Sequence, residues 1–161
     1  VSERRQVAVI GSSACEPDSE AAALAEEVGR RLAEAGVTVV CGGLTGVMEA
    51  ACRGASEAGG VAIGIVPGDS TAEANPFCTH VVATGIGHAR NLAVVSSGKV
   101  VVAIGGEWGT LSEIGFARAI GRTVVALRSW TLSGRERMKD APGVLLADSA
   151  REAVDFALQA L

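Results

Sequence analysis

Short apolar runs alternate with amphipathic stretches along almost the whole chain. Gln6 to Gly11 (QVAVIG) is a run rich in β-branched residues that ends in Gly-Ser-Ser, and its pattern predicts a buried strand. Pro17-Asp18-Ser19 then supplies a helix start, with Glu20 where the helix dipole favours an acid. Ala25, Val28, Leu32 and Ala35 recur at intervals of three and four, and Gly36 stops that helix. The alternation continues with a strand over Val37 to Cys41, a glycine turn from Gly42 to Gly46, and a helix through Val47, Ala50, Ala51 and Ala55. Gly59-Gly60 ends that helix, and Val61 to Val66 reads as a third strand. Residues 67 to 79 are polar and proline-bearing, longer than a usual connection, and so are a candidate ligand lid. A short strand over His80 to Ala83, a helix from about His88 to Ser97 and a strand over Lys99 to Ile104 follow. Gly105 to Gly109 is another glycine turn, before a helix carrying Leu111, Ile114, Ala117 and Ala119 and a strand over Thr123 to Leu127. Residues 129 to 142 read as irregular, Val144 to Ala147 as a last strand, and Ser149 as the cap of a terminal helix.

Near-continuous apolar strands, each followed by a helix, predict an α/β fold: a Rossmann-like, doubly wound sheet. The sheet is expected to be mainly parallel, with about seven strands and helices on both faces. One domain over residues 1–161 accounts for the length. In such sheets ligands bind beyond the carboxyl ends of the strands, where strand order reverses. That directs attention to Gly11 to Cys15, Gly42 to Gly46, Thr84 to Arg90 and Gly105 to Glu113.

Composition removes several classes. A chain that is 48% hydrophobic and 20% charged can bury enough apolar area to fold. A net charge of −4, with 3% aromatics and no Tyr, gives neither the electrostatic footprint nor the stacking platforms expected of a nucleic-acid binder. The uncharged stretch Ala35 to Met48 has 14 residues and four glycines, too short for a membrane span. Arg4-Arg5 before Val7 to Ile10 is a poor export signal because its apolar core is too short, so a cytoplasmic location is expected. Cys15, Cys41, Cys52 and Cys78 are separated by 26, 11 and 26 residues with no CxxC pair, and His80 and His88 lie eight apart. No metal site is expected from that spacing, and the cysteines read as reduced core residues.

The familiar phosphate fingerprints fail. Gly11-Ser12-Ser13 is not GxGxxG, Gly85-Ile86-Gly87 runs on to Arg90, Gly98-Lys99 is followed by Val100, and no GxSxG occurs. What remains is Gly105-Gly106-Glu107-Trp108-Gly109-Thr110-Leu111-Ser112-Glu113. Glycines there can bring backbone N–H groups to an anion at a helix N-terminus, and Thr110 can add a hydroxyl. Glu113, three residues beyond Thr110, reads either as a carboxylate beside a bound phosphate or as an exposed residue complementing the dipole. Arg90, beside Asn91, reads either as a phosphate clamp or as a solvated helix residue. The Gly42-Gly43 turn is a second anion cradle or a site of close helix–strand packing, and Ser12 lies at the same rim. Trp108 can stack on a ligand, although packing on a neighbouring helix or subunit is the expectation for a large aromatic.

With Cys41-Gly42-Gly43-Leu44-Thr45-Gly46-Val47-Met48-Glu49-Ala50 and Gly87-His88-Ala89-Arg90-Asn91 upstream, GGEWGTLSE resembles the LOG superfamily. That superfamily includes phosphoribohydrolases, many mislabelled as lysine decarboxylases, and molybdenum cofactor carrier proteins; the short length here is more similar to the bacterial carrier-like branch. The resemblance implies Arg90 and Glu113 as a catalytic pair, with Gly105, Gly106, Gly109 and Thr110 holding a 5′-phosphate. Gly42, Gly43, Ser12 and Asn91 complete the expected ligand site. It further implies hydrolysis of the N-glycosidic bond of a nucleoside 5′-monophosphate, or carriage of a cofactor without turnover. No cofactor is required under either reading. The expected ligand is a nucleoside monophosphate, phosphate or a molybdopterin-type molecule, and a homodimer or higher homo-oligomer is implied, with the helices after Gly46 and Gly109 as contact surfaces. Two positions depart from the enzymes' pattern: Ile104 stands where they have Pro, and Asn91 where they have Lys. A pyridoxal-dependent decarboxylase is rejected, because of the two lysines Lys99 begins a predicted buried strand and Lys139 lies in a polar loop far from both glycine turns.

Overall fold

The computed structural model describes residues 5–130 and 143–161. Seven strands form one sheet: β1 (Gln6–Gly11), β2 (Thr38–Cys41), β3 (Ala62–Val66), β4 (His80–Ala83), β5 (Val100–Ile104), β6 (Thr123–Leu127) and β7 (Val144–Ala147). The order across the sheet is β4-β3-β2-β1-β5-β6-β7, and every described pairing is parallel. Five α-helices connect them: α1 (Glu20–Glu34), α2 (Val47–Glu57), α3 (Arg90–Ser97), α4 (Trp108–Ala119) and α5 (Ala150–Gln159). The expected doubly wound α/β architecture is therefore present, and entirely parallel. The sequence-predicted irregular segment falls mostly on residues 131–142, which lie outside the described residues.

Central strands are apolar on both faces because helices cover both. Val7, Val9, Val39, Val100, Val102 and Ile104 pack with α1, α2 and α5, whereas Ala8, Ile10, Val40, Val101 and Ala103 pack with α3 and α4. All five residues of β5 have no exposed surface. Each buried Val or Ile contributes about 1.5–3 kcal/mol, so the sheet centre carries much of the fold's stability. Strands begin one residue later than the pattern predicts at Thr38, Ala62 and Val100. At the first of these the cause is local: the Val37 N–H bonds the Leu32 carbonyl at 2.9 Å, closing α1 behind Gly36 at φ 69°. Helices α1 and α2 pack backbone to backbone. A Cβ on Gly29 would lie 2.0 Å from the Ala51 carbonyl oxygen, and one on Gly54 would lie 2.0 Å from that of Glu26.

This order fixes where a ligand can sit. The chain runs outward from β1 through β2 and β3 to β4, then returns to place β5 on the other side of β1. Connections leave β1 and β5 in opposite directions, opening a crevice at their carboxyl ends.

Candidate functional site

A cavity of about 190 Å³ occupies that crevice. Its walls come from the end of β1 (Val9 to Ser13), the turn after β2 (Gly42, Leu44), Met48 of α2, the start of α3 (His88, Arg90, Asn91) and the start of α4 (Glu107, Gly109, Thr110, Glu113). Arg90 and Glu113, 23 positions apart in sequence, thus meet in one cavity.

Arg90 is 7% exposed, so it is not a solvated helix residue. Its Nη2 donates to the Gly42 carbonyl at 3.2 Å and its Nη1 to the Asn91 carboxamide oxygen. Its Nε is buried without a partner among the described residues. Burial pulls its pKa below the usual arginine value, against the opposing effect of Glu113. A guanidinium desolvated this far and left with an unused donor is a strong attractor for an anion.

Glu113 is likewise 7% exposed. Burial raises its carboxyl to about 7, although Arg90 pulls it back down. Near neutrality it therefore exists as a mixture of acid and carboxylate. The bland alternative of an exposed dipole residue does not hold.

Helix α4 begins after Glu107, whose side chain makes no capping bond to the first-turn N–H groups. Gly109 offers open space on the cavity wall, and Thr110, 3% exposed, lies beside it. Gly105 and Gly106, expected to touch the phosphate, do not line the cavity. They shape the turn beneath it: both have positive φ, and a Cβ on Gly106 would lie 2.3 Å from the Thr110 Oγ1.

The Gly42-Gly43 pair also divides. Gly42 lines the cavity, but a Cβ there would lie 2.6 Å from Arg90 Nη2, so this glycine makes room for the guanidinium. Gly43 faces away, with φ 73° and its carbonyl accepting from Asn75 Nδ2 at 3.1 Å. Ser12 lines the cavity, its hydroxyl accepting from the Ala14 N–H at 3.1 Å, and Asn91 lines it while engaged by Arg90.

Residues 67 to 79 contribute no residue to the cavity wall. Asn75, 8% exposed, instead ties this segment to the carbonyls of Gly43 and Leu44, bracing the turn from behind. Trp108 is 75% exposed and its ring lies 5.3 Å from that of Trp130, so among the described residues it does not pack on a neighbouring helix. Of the other wall residues, Gly11, Ser13, Leu44, His88 and Glu107 fall within the strand-end segments the sequence points to, and Val9, Ile10 and Met48 fall outside them. Their signal was position alone, since each sits at a strand's carboxyl end or one helical turn beyond.

A parallel sheet with a crevice at its switch point, lined by both polar and apolar residues, defines a Rossmann-like domain. The chain matches the SLOG cluster4 family over residues 4–154, and it belongs to that family. It is 40% identical over 123 residues to an uncharacterized protein of Archaeoglobus fulgidus, covering 76% of this chain and 80% of that one. It superposes on the molybdenum cofactor binding protein of the phototrophic bacterium Rippkaea orientalis with a TM-score of 0.88 and 29% identity, over 99% of this chain and 98% of the other. The molybdenum cofactor carrier protein of Chlamydomonas reinhardtii gives 0.83 and 29%, over 98% of each chain. DNA processing protein A of Streptococcus pneumoniae shares the fold alone, with a TM-score of 0.71 at 23% identity, over 94% of this chain and 61% of that one.

Proposed function

We propose that the chain binds a small phosphorylated ligand of the molybdopterin type in the β1–β5 crevice and carries it without chemical change. The observation that carries this reading is Arg90, buried on the cavity wall with a free Nε donor beside the uncapped start of α4. A phosphate would take those donors, and the apolar wall of Val9, Ile10, Leu44 and Met48 suits a flat heterocycle. The similarity to cofactor binding and carrier proteins supports the same ligand class. Among the described residues no cluster of His, Cys, Asp or Glu could hold a metal, so any metal would arrive on the ligand. Calorimetry of the purified chain with molybdopterin-type and nucleoside monophosphate ligands tests the reading. Saturable binding of the pterin that is lost in Arg90→Met supports it; tight AMP binding in preference to pterin counts against it.

A second reading has one observation in its favour. A carboxyl poised at about 7 beside a buried arginine is suited to general acid–base work, and the N-glycosidic bond of a nucleoside 5′-monophosphate is the matching substrate. Release of free base and ribose 5-phosphate from AMP, abolished in Glu113→Gln, would establish that activity.

The charge of −4 favours a small ligand over nucleic acid, and the free thiols of all four cysteines suit a reducing cytoplasm. Leu92 of α3, Phe116 of α4 and Ile120 just beyond α4 leave apolar side chains exposed, a face suited to a second copy of the chain.

A further inference from the structure

Three of the four cysteines converge behind the site. Cys41 closes β2, Cys52 sits in α2, and Cys78 follows Asn75 in the segment before β4. Cys52 Sγ lies 3.3 Å from Cys41 Sγ and 3.7 Å from Cys78 Sγ. Cys41 and Cys52 are buried and Cys78 is half-buried. Core packing alone gives no reason for three thiols to share one contact line, because a cysteine acting as a small hydrophobe packs equally well on Ala or Val.

The trio also touches the turn that holds Arg90. The Gly43 N–H donates to Cys41 Sγ at 3.3 Å, and the Cys78 N–H donates to the Asn75 carbonyl at 3.3 Å. Asn75 in turn holds the carbonyls of Gly43 and Leu44, at 3.1 and 2.9 Å. The Gly42 carbonyl, one residue back along the same turn, accepts from Arg90.

We propose that Cys78 and Cys52 are an oxidation site for a small hydroperoxide, closing a disulfide that shifts the Gly42–Leu44 turn and weakens the grip on Arg90. Cys78 is the attacking thiol because it is the accessible one. The hydrogen bonding of Cys41, then of Cys52, favours its thiolate. Its sulfur displaces hydroxide from hydrogen peroxide, giving a sulfenic acid, and the hydroxide takes up a proton to become water. Cys52 sulfur then attacks that sulfenic sulfur, forming the S–S bond and releasing a second water as its own proton leaves. One peroxide is reduced to two waters while two thiols are oxidised to one disulfide. The disulfide itself is independent of what the cavity binds; only its effect on affinity rests on the phosphate-binding reading.

The test uses the whole reduced chain and one equivalent of hydrogen peroxide, followed by alkylation and non-reducing peptide mapping. A Cys52–Cys78 link, reversed by dithiothreitol and unaffected by Cys15→Ala, is the expected result. In Cys52→Ala the Cys78 sulfenic acid should persist and be trapped by dimedone. Four unmodified thiols, or a link confined to Cys15 or to Cys41–Cys52, would overturn the proposal. Affinity for pyrophosphate as probe is then compared in the reduced and oxidised chain, with several-fold weaker binding expected after oxidation. A disulfide that forms with unchanged pyrophosphate affinity overturns the coupling to the turn, whereas no binding even in the reduced chain defeats the ligand reading and leaves the disulfide standing.

Discussion

Helices α1 and α5 begin differently from α3 and α4. Ser19 Oγ accepts the Ala22 N–H at 3.2 Å and Ser149 Oγ accepts the Glu152 N–H at 3.2 Å, so the first pair satisfy their own ends. Neither α3, starting after Ala89, nor α4, starting after Glu107, has a side-chain cap. Both uncapped ends open onto the cavity, where Arg90 and Glu113 are buried at a desolvation cost that no protein contact fully offsets. Two helix starts are closed on themselves; the other two, at the same carboxyl edge of the sheet, leave donors and charge for something else to complete. Stability and binding should therefore respond to different substitutions.

The largest expected effect is on the site's own stability. Glu113 has its carboxyl raised from 4.5 to about 7, so the folded chain holds a proton that the unfolded chain releases. Its contribution is fully present below about 4.5 and is lost as pH rises to about 7, by up to about 3 kcal/mol from the size of the shift. Glu113→Gln removes that dependence. Urea unfolding at pH 4 and pH 8 should show the variant gaining on the parent at the higher pH, and equal gaps at both would mean the carboxyl is not desolvated. Phosphate affinity of the parent should also fall as pH rises through 7, because the carboxylate then repels the anion, and the variant should lack this fall.

Arg90→Met should weaken phosphate or pterin binding by about 10- to 100-fold, the loss of one or two charge-assisted hydrogen bonds. Gly42→Ala tests the same group from behind, since the new methyl would displace the Nη2 that it meets at 2.6 Å. Calorimetric titration should find both impaired, with Gly42→Ala the milder. If Gly42→Ala binds as well as the parent, the guanidinium does not act from its observed position.

The sheet was legible because its strands are apolar on both faces, a pattern that only a parallel sheet under two helical layers explains. Arg90 and Glu113 were legible as strand-end residues, and their burial was not. Arg90 is enclosed by a glycine 48 positions earlier, and no local pattern encodes a missing Cβ at that distance. The bracing made by Asn75 is illegible for a related reason. A polar loop suggests a lid, but Asn75 spends its carboxamide on backbone carbonyls 31 and 32 positions away. The thiol trio was hidden in the same way, since separations of 11 and 26 reveal nothing until α2 is laid against β2 and β3.

The smallest effects separate the two kinds of helix start most cleanly. Ser149→Ala removes a bond that α5 uses, and should cost about 1 kcal/mol in urea unfolding while leaving ligand affinity unchanged. Glu107→Ala occupies the equivalent position on α4, where the side chain makes no capping bond. It should change stability by no more than about 0.5 kcal/mol. Its effect should appear in binding instead, as a modest gain, because an exposed acid is removed from the lip of a cavity that receives an anion. If Glu107→Ala destabilised the chain as much as Ser149→Ala, α4 would be capped in solution after all, and the contrast between a closed and an open end would fail.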